Sequence, residues 1–129
     1  MIDHPHAKLA RAAWEAAATG DRDTLARVCA PGVVWHASGR GPRSGDYRGI
    51  DRVLEYLAAI GDAADRFDSR FDDVLIGDDR VAVLFHVSGE RRGRRLDTGF
   101  LLLFRVADGQ IAEIWAVPRD QYAVDAFWA

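Results

Sequence analysis

What restricts this chain most is a change of hydrophobic period at Phe67. Before it, apolar residues recur at helical spacing; after it they recur at every second position, in runs broken by short turn signals. Runs at 67–76, 81–88, 94–106 and 110–117 read as strands. Between them lie Gly77-Asp78-Asp79, Arg92-Gly93 and Asp108-Gly109, tight turns of the kind that join antiparallel neighbours. Upstream, Leu9, Ala13, Ala16 and Ala17 stripe a first helix, with Asp3 as its expected cap, Pro5 in the opening turn and Thr19-Gly20 as the stop. A second helix begins near Asp21, carries Leu25, Val28 and Cys29, and is expected to end at Pro31-Gly32. Ile50, Val53, Leu54, Leu57 and Ile60 define a third by the i, i+3, i+4, i+7 rule. Val33-Val34-Trp35-His36-Ala37 is a short strand running into a Gly-, Ser- and Pro-rich loop at 38–45, and a final segment from Asp120 to Trp128 reads as a closing helix. The order ααβαββββ predicts an α+β fold, with three N-terminal helices on one face of a mainly antiparallel sheet, and residues 1–129 read as one domain.

The strands also constrain the other face of that sheet. A sheet with one wet face alternates apolar and polar residues, yet 98–104 and 81–87 are apolar at both parities. Three helices cover one face, so the second predicts a homodimer through the sheet, because a two-fold pair needs only one self-complementary patch. The other reading is a sheet curled on itself or covered by the C-terminal segment. With 49% apolar residues the chain can build a core, and a net charge of −3 argues against a nucleic-acid partner. The lone Cys29 excludes an internal disulfide framework and a Cys-based zinc site, and no His, Asp and Glu spacing resembles a metal triad, so neither metal nor cofactor is expected. No apolar run is long enough to span a bilayer, and Met1-Ile2-Asp3-His4-Pro5 lacks the start of a signal peptide. A cytoplasmic location without a membrane partner is the expectation.

Three motifs carry a resemblance: Val34-Trp35-His36 before the Gly-Pro-rich loop, Gly45-Asp46-Tyr47-Arg48-Gly49 opening the third helix, and 108–115 as the last strand. With the element order, they make the chain similar to SnoaL-like polyketide cyclases and ketosteroid isomerases, which share the conical nuclear-transport-factor-2 fold. The resemblance spans essentially the whole chain and implies a cone-shaped α+β barrel. It also implies site positions. Gly41-Pro42-Arg43-Ser44-Gly45 ends like the isomerase loop, and counting back without a gap places His36 where those enzymes carry a catalytic aspartate. Their second acid falls on Leu102 and their helix-one tyrosine on Ala13, beside Trp14. The acid of the cyclases would fall on or just after the last strand, whose pocket-facing positions are Ile114, Ala116 and Pro118, with Asp120 and Tyr122 just beyond. The same registration turns Val83, Phe85, Val87, Thr98, Phe100, Leu102, Ile114 and Ala116 toward the helices with His36. It turns Trp35, His86, Asp97, Leu101, Leu103, Glu113 and Trp115 away.

His36 suits a general acid or base because imidazole titrates near neutral pH; its other reading is a hydrogen-bonded core histidine. Tyr47 is the phenol best placed to be its acid partner. Tyr56 lies off the helix-three stripe, which suits the rim of a pocket. Trp14, Phe85, Phe100, Phe127 and Trp128 can wall a pocket for a flat apolar ligand or fill a core. Substrate contacts are expected from Trp14, Tyr56, Phe85, Phe100, Leu102, Ile114, Ala116, Tyr122 and Phe127. His86 reads as an interstrand hydrogen-bonding group, the Arg95 and Asp97 pair as a cross-strand bridge, and the arginines at 91–95 as a solvated hairpin edge. The resulting expectation is an enzyme of secondary metabolism or catabolism. It would bind a small hydrophobic, polycyclic or enolisable molecule and perform isomerisation, cyclisation, dehydration or epoxide opening without a cofactor. The alternatives are a non-catalytic ligand binder and a dimerisation or accessory module.

Overall fold

The computed structural model describes residues 4–129. In chain order these form α1 (Pro5–Thr19), α2 (Arg22–Val28), β1 (Cys29–Ala37), β2 (Gly45–Arg48), α3 (Ile50–Ala63), β3 (Arg66–Ile76), β4 (Arg80–Arg91), β5 (Arg94–Ala107), β6 (Gln110–Pro118) and α4 (Gln121–Trp128). Asp3 lies outside the described residues; the cap of α1 is His4, whose ring accepts from the His6 amide at 3.1 Å. Asp21 caps α2 through the Thr24 amide and hydroxyl, and Asp120 caps α4 through the Ala123 amide at 3.1 Å. Two of the three long-strand hairpins, β4–β5 and β5–β6, turn through pairs of left-handed residues, Arg92-Gly93 and Asp108-Gly109. That geometry matches the right-handed twist of the strands they join.

The six strands form one sheet in the order β2-β1-β6-β5-β4-β3. Only β1 and β6 run parallel; every other neighbouring pair is antiparallel. The register shifts in β1, β3 and between β5 and β6, and such irregularities bend strands, so the sheet curves. It remains open, with β2 and β3 as its edges. The strand β2 is the one element absent from the sequence expectation: four polar residues carry no period, and only pairing with β1 makes them a strand. Pro31-Gly32, expected to end a helix, lies inside β1, because α2 stops at Val28.

The four helices pack on the concave face. Ala10 and Ala13 of α1 are fully buried against the sheet, and their small side chains let the helix approach closely. Along β4 the inward positions Val81, Val83, Phe85 and Val87 are buried, as are Leu102, Phe104 and Val106 of β5 and Ile111 and Ile114 of β6. Each such side chain contributes about 1.5–3 kcal/mol of burial. Cys29 belongs to this core, and burial pushes its thiol up to about 12, so it stays protonated and inert. None of the described helices is long and apolar enough to cross a membrane.

Candidate functional site

Between the concave face and the helices lies a cavity of about 170 Å³. Trp14 of α1, Phe85 of β4, Phe100 and Leu102 of β5 and Trp35 of β1 form its apolar wall, and Phe85 stacks on Phe100 at 5.5 Å. On α4 the lining residues are Gln121, Val124, Asp125 and Trp128, spaced i, i+3, i+4 and i+7, so one stripe of a single helix closes that side. The polar lining collects where this stripe meets the 38–44 loop: Ser38, Arg43, Ser44, Gln121 and Asp125. These groups are tied together. Ser38 donates to the Ala116 carbonyl at 3.0 Å, Gln121 donates to the Ser38 carbonyl at 3.2 Å and to Asp125 Oδ1 at 3.0 Å, and the Arg40 amide donates to Asp125 Oδ2 at 3.2 Å. The loop approaches α4 so closely that a Cβ at Gly39, whose φ is +97°, would sit 2.1 Å from the Gln121 amide nitrogen.

Two hydrogen-bond donors stand in the apolar part. Trp35 is buried, and its indole Nε1 has no acceptor at ordinary hydrogen-bond distance; it interacts only loosely with the Tyr56 phenol. Beside it, ring to ring at 5.7 Å, Tyr56 also lines the cavity and packs on Tyr47 at 4.2 Å. Burial raises the Tyr56 phenol far above its ordinary value, Tyr47 adds to this, and the Trp35 indole and Arg43 oppose it. The phenol is therefore a protonated donor at every physiological pH.

The structure corrects the placement of His36. Residues paired across strands share a face, and β1 pairs Trp35 with Ile114, His36 with Trp115 and Ala37 with Ala116. Trp35 and Ala37 point into the cavity; His36 points to the opposite, convex face. The register is set by the parallel pairing with β6 and the irregularity between Cys29 and Val34, which a gapless count through the loop ignores. On the convex face His36 stacks on Trp115 at 5.3 Å, with Nδ1 2.7 Å from Asp46 and Nε2 2.5 Å from Glu113. Arg105 donates to the other oxygen of Glu113 at 3.3 Å. The remaining strand faces match the expectation.

Among the other expected site residues, Trp14, Tyr56, Phe85, Phe100, Leu102 and Ala116 line the cavity. Tyr47 does not; it stacks behind Tyr56, and its hydroxyl donates to the Arg43 carbonyl at 2.9 Å. Ile114 is core beneath the wall, and Phe127 is 2% exposed behind Trp128, off the cavity stripe of α4. Tyr122 is 89% exposed, because it projects from the outer side of that helix. Asp97 bonds His86 across the convex face, Glu113 bonds His36 and Asp120 caps α4, so none of these three carboxylates reaches the cavity. The arginine hairpin is more than a solvated edge: Arg91 and Arg94 donate to the carbonyls of Phe127 and Ala129 and hold the end of α4. Unforeseen on the wall were Trp35, Arg43, Gln121 and Asp125. The i, i+3, i+4, i+7 spacing from Gln121 to Trp128 was the legible signal for the last two.

The cluster around His36 makes stability depend on pH. Burial pulls the His36 pKa down, but the hydrogen bonds to Asp46 and Glu113 outweigh it, and the pKa lies above its ordinary 6.5. The hydrogen bond to His36 lowers both Asp46, from 3.8, and Glu113, from 4.5. The histidine's contribution is complete below 6.5 and is lost as pH rises through its raised folded value. The carboxylates' contribution is complete above 4.5 and is lost as pH falls through their lowered folded values. Relative to His36→Gln, the parent chain is expected to gain most thermal stability between pH 5 and 6.5 and less at pH 8.5, read by thermal unfolding. A difference that does not vary with pH contradicts this.

Comparison with known proteins agrees with this architecture. An uncharacterized protein of Mycobacterium tuberculosis is 31% identical over 131 residues, covering all of both chains. The solved structure of Bal32a, from a soil-derived mobile gene cassette, superposes with a TM-score of 0.91 at 29% identity, over 97% of each chain. TerC, crystallised with polyporic acid, shares the fold at 18% identity, with a TM-score of 0.83 over 96% of this chain and 98% of its own. The SnoaL-like domain family matches residues 10–114. An open, curved sheet of six strands cupping an aromatic cavity under four helices is thus the form that this sequence gives to the SnoaL-like domain family, to which the chain belongs.

Proposed function

We propose that the cavity binds a flat aromatic or enolisable ring compound and polarises one of its oxygens for a cofactor-free proton shift. The observation that carries this reading is a pair of buried donors on the cavity lining, the Trp35 N–H without an acceptor at ordinary hydrogen-bond distance and the non-ionising Tyr56 phenol beside it. An orphan buried donor costs about 1–3 kcal/mol, and a ligand oxygen that accepts from it recovers that cost. Two donors converging on one carbonyl oxygen stabilise the enolate that forms when a neighbouring carbon loses a proton. Asp125, on the α4 side of the same cavity, is the lining carboxylate and the candidate base. Size supports the ligand class: a dry cavity of about 150 Å³ holds benzene, so about 170 Å³ takes one ring outright, and further rings extend toward the polar end. The crystallisation of TerC with polyporic acid fits ligand binding in this fold. Cyclisation, isomerisation and dehydration all proceed through such an enolate. A carrier without catalysis is the second reading, favoured by the position of His36 outside the cavity and by the two hydrogen bonds that already occupy Asp125.

The test is deuterium exchange of 2-tetralone, an enolisable bicyclic ketone, followed by proton NMR in D2O. Acceleration by the parent chain, reduced about 10- to 100-fold in Tyr56→Phe and in Asp125→Asn, is expected for general acid–base catalysis. Tetralone that quenches the tryptophan fluorescence without faster exchange establishes the carrier and removes the enzyme.

The convex face supports a second copy of the chain as partner. Across the sheet, register places Leu75, Ala82, Leu103, Trp115 and His36 in one row and Leu84, Leu101 and Val117 in the next. Leu75 is 55% and Val117 42% exposed in the single chain, an apolar belt of the kind a two-fold interface covers.

A further inference from the structure

We propose that the ligand is an anion, an aromatic ring bearing a carboxylate or an ionised enol, and that Arg43 is the residue that selects it. This rests on the reading of the cavity as a binding site for an aromatic compound and names the charge of that compound. Arg43 reaches the cavity from the 38–44 loop, and its guanidinium lies over the Trp128 ring at 5.5 Å from the centroid. Among the described residues it makes no ion pair and no side-chain hydrogen bond; its main-chain carbonyl is what the Tyr47 hydroxyl holds, at 2.9 Å. A guanidinium presents five donors in a planar fork suited to a carboxylate, and here the fork has no protein acceptor.

The rest of the lining gives that fork no hydrogen-bond acceptor, although Asp125 brings one negative charge to the same cavity. The carboxylate of the lining, Asp125, is already engaged through both oxygens, by Gln121 at 3.0 Å and by the Arg40 amide at 3.2 Å. A second guanidinium, Arg91, lies 5.9 Å from the centroid of the same Trp128 ring, so positive charge gathers around it. That crowding registers in Arg91, whose pKa is lowered by burial first and then by Arg92, Arg94 and Arg43. Arg43 and the Tyr56 phenol are donors without a protein acceptor, and the Trp35 indole, held only loosely by that phenol, stands beside them. An anionic oxygen supplies the missing acceptor, and a charge-assisted hydrogen bond is about twice as strong as a neutral one. Tyr47 ties down the loop that carries Arg43 through the Arg43 carbonyl and packs at a tilt against Tyr56.

The experiment compares 2-naphthoate with 2-naphthamide, the same ring and nearly the same shape without the charge. Both are titrated at pH 7.5 against the parent chain, Arg43→Gln, Arg43→Lys and Trp35→Phe, with tryptophan fluorescence as the readout and unfolding temperature as the check on folding. The parent is expected to bind naphthoate at least 10-fold more tightly than naphthamide. Arg43→Gln is expected to abolish that preference by lowering naphthoate affinity to that of naphthamide, Arg43→Lys to keep part of it, and added salt to shrink it. Loss of both ligands in a folded Arg43→Gln, or no preference in the parent, overturns the anion assignment. Naphthamide binding that Trp35→Phe still weakens keeps the aromatic cavity reading standing in that event. Failure of the folded parent chain to bind either compound overturns both.

Discussion

Phe127→Ala is expected to unfold about 10–20 °C below the parent chain, with α4 losing its seat on the sheet. Phe127 is 2% exposed and packs edge-on against Trp128 at 4.9 Å and against Phe67 at 6.3 Å. Gly89 makes room for this cluster: a Cβ there would fall 3.3 Å from Phe127 Cζ and 2.9 Å from the Arg66 carbonyl, which is main chain and cannot swing aside. The site is walled by strand backbone, so it cannot collapse into the hole an alanine leaves. Truncating a buried phenylalanine costs about 3–5 kcal/mol. Against a total stability of about 5–15 kcal/mol that is a large share. The effect reaches the cavity because Trp128, the next residue, lines it. Thermal unfolding with circular dichroism measures the loss, and a shift below about 5 °C would mean that α4 contributes little to the core.

Leu101→Arg is expected to change the mass in solution from twice 14.3 kDa to 14.3 kDa, read by light scattering on a size-exclusion column. In the single chain Leu101 sits in the row of Leu84 and Val117 on the convex face, away from the cavity. An arginine there keeps its stem on the sheet and its charge in water while the chain is alone, so the monomer stays folded. Across a two-fold axis the same change buries two like charges without partners, at a cost of several kcal/mol for each. Stable interfaces of this kind bury roughly 800 Å² on each side, and an apolar belt two rows deep across the sheet supplies the centre of such a patch. A parent chain that elutes at 14.3 kDa at micromolar concentration would remove the homodimer.

These two positions show what was legible beforehand. The strands after Phe67 were readable because period-two runs ended in Arg92-Gly93 and Asp108-Gly109, pairs whose glycine takes the left-handed backbone of a tight turn without steric cost. The convex belt was readable for the same reason, since apolar residues at both parities leave no wet face. The inward facing of Phe85, Phe100 and Leu102 followed from the registration that the family resemblance implied, and Trp14 joins them from α1. The cavity stripe on α4 was present as helical spacing from Gln121 to Trp128, although Tyr122 and Phe127 of the same helix were chosen instead.

The inside of the molecule at β1 was not readable. Whether Trp35 or His36 enters the cavity depends on a one-residue choice of register, and in β1 both are flanked by residues that suit either face. The choice is made by a parallel pairing with β6, 77 residues away in sequence for His36 and Glu113, and by the irregularity after Cys29. The four-residue β2 was hidden for a related reason: it exists only because β1 offers an edge to pair with.

Local chemistry alone thus determined the element order apart from β2, the α+β class, the hairpin turns and the two apolar faces of the sheet. These follow from side-chain period and backbone preference within windows of a few residues. Tertiary structure alone decided that Trp35 and Arg43 face the cavity and that His36 joins Asp46 and Glu113 on the far side of the sheet. Strand register and loop closure are set by pairing between distant segments, and the free energy that selects them appears only when the whole sheet has formed.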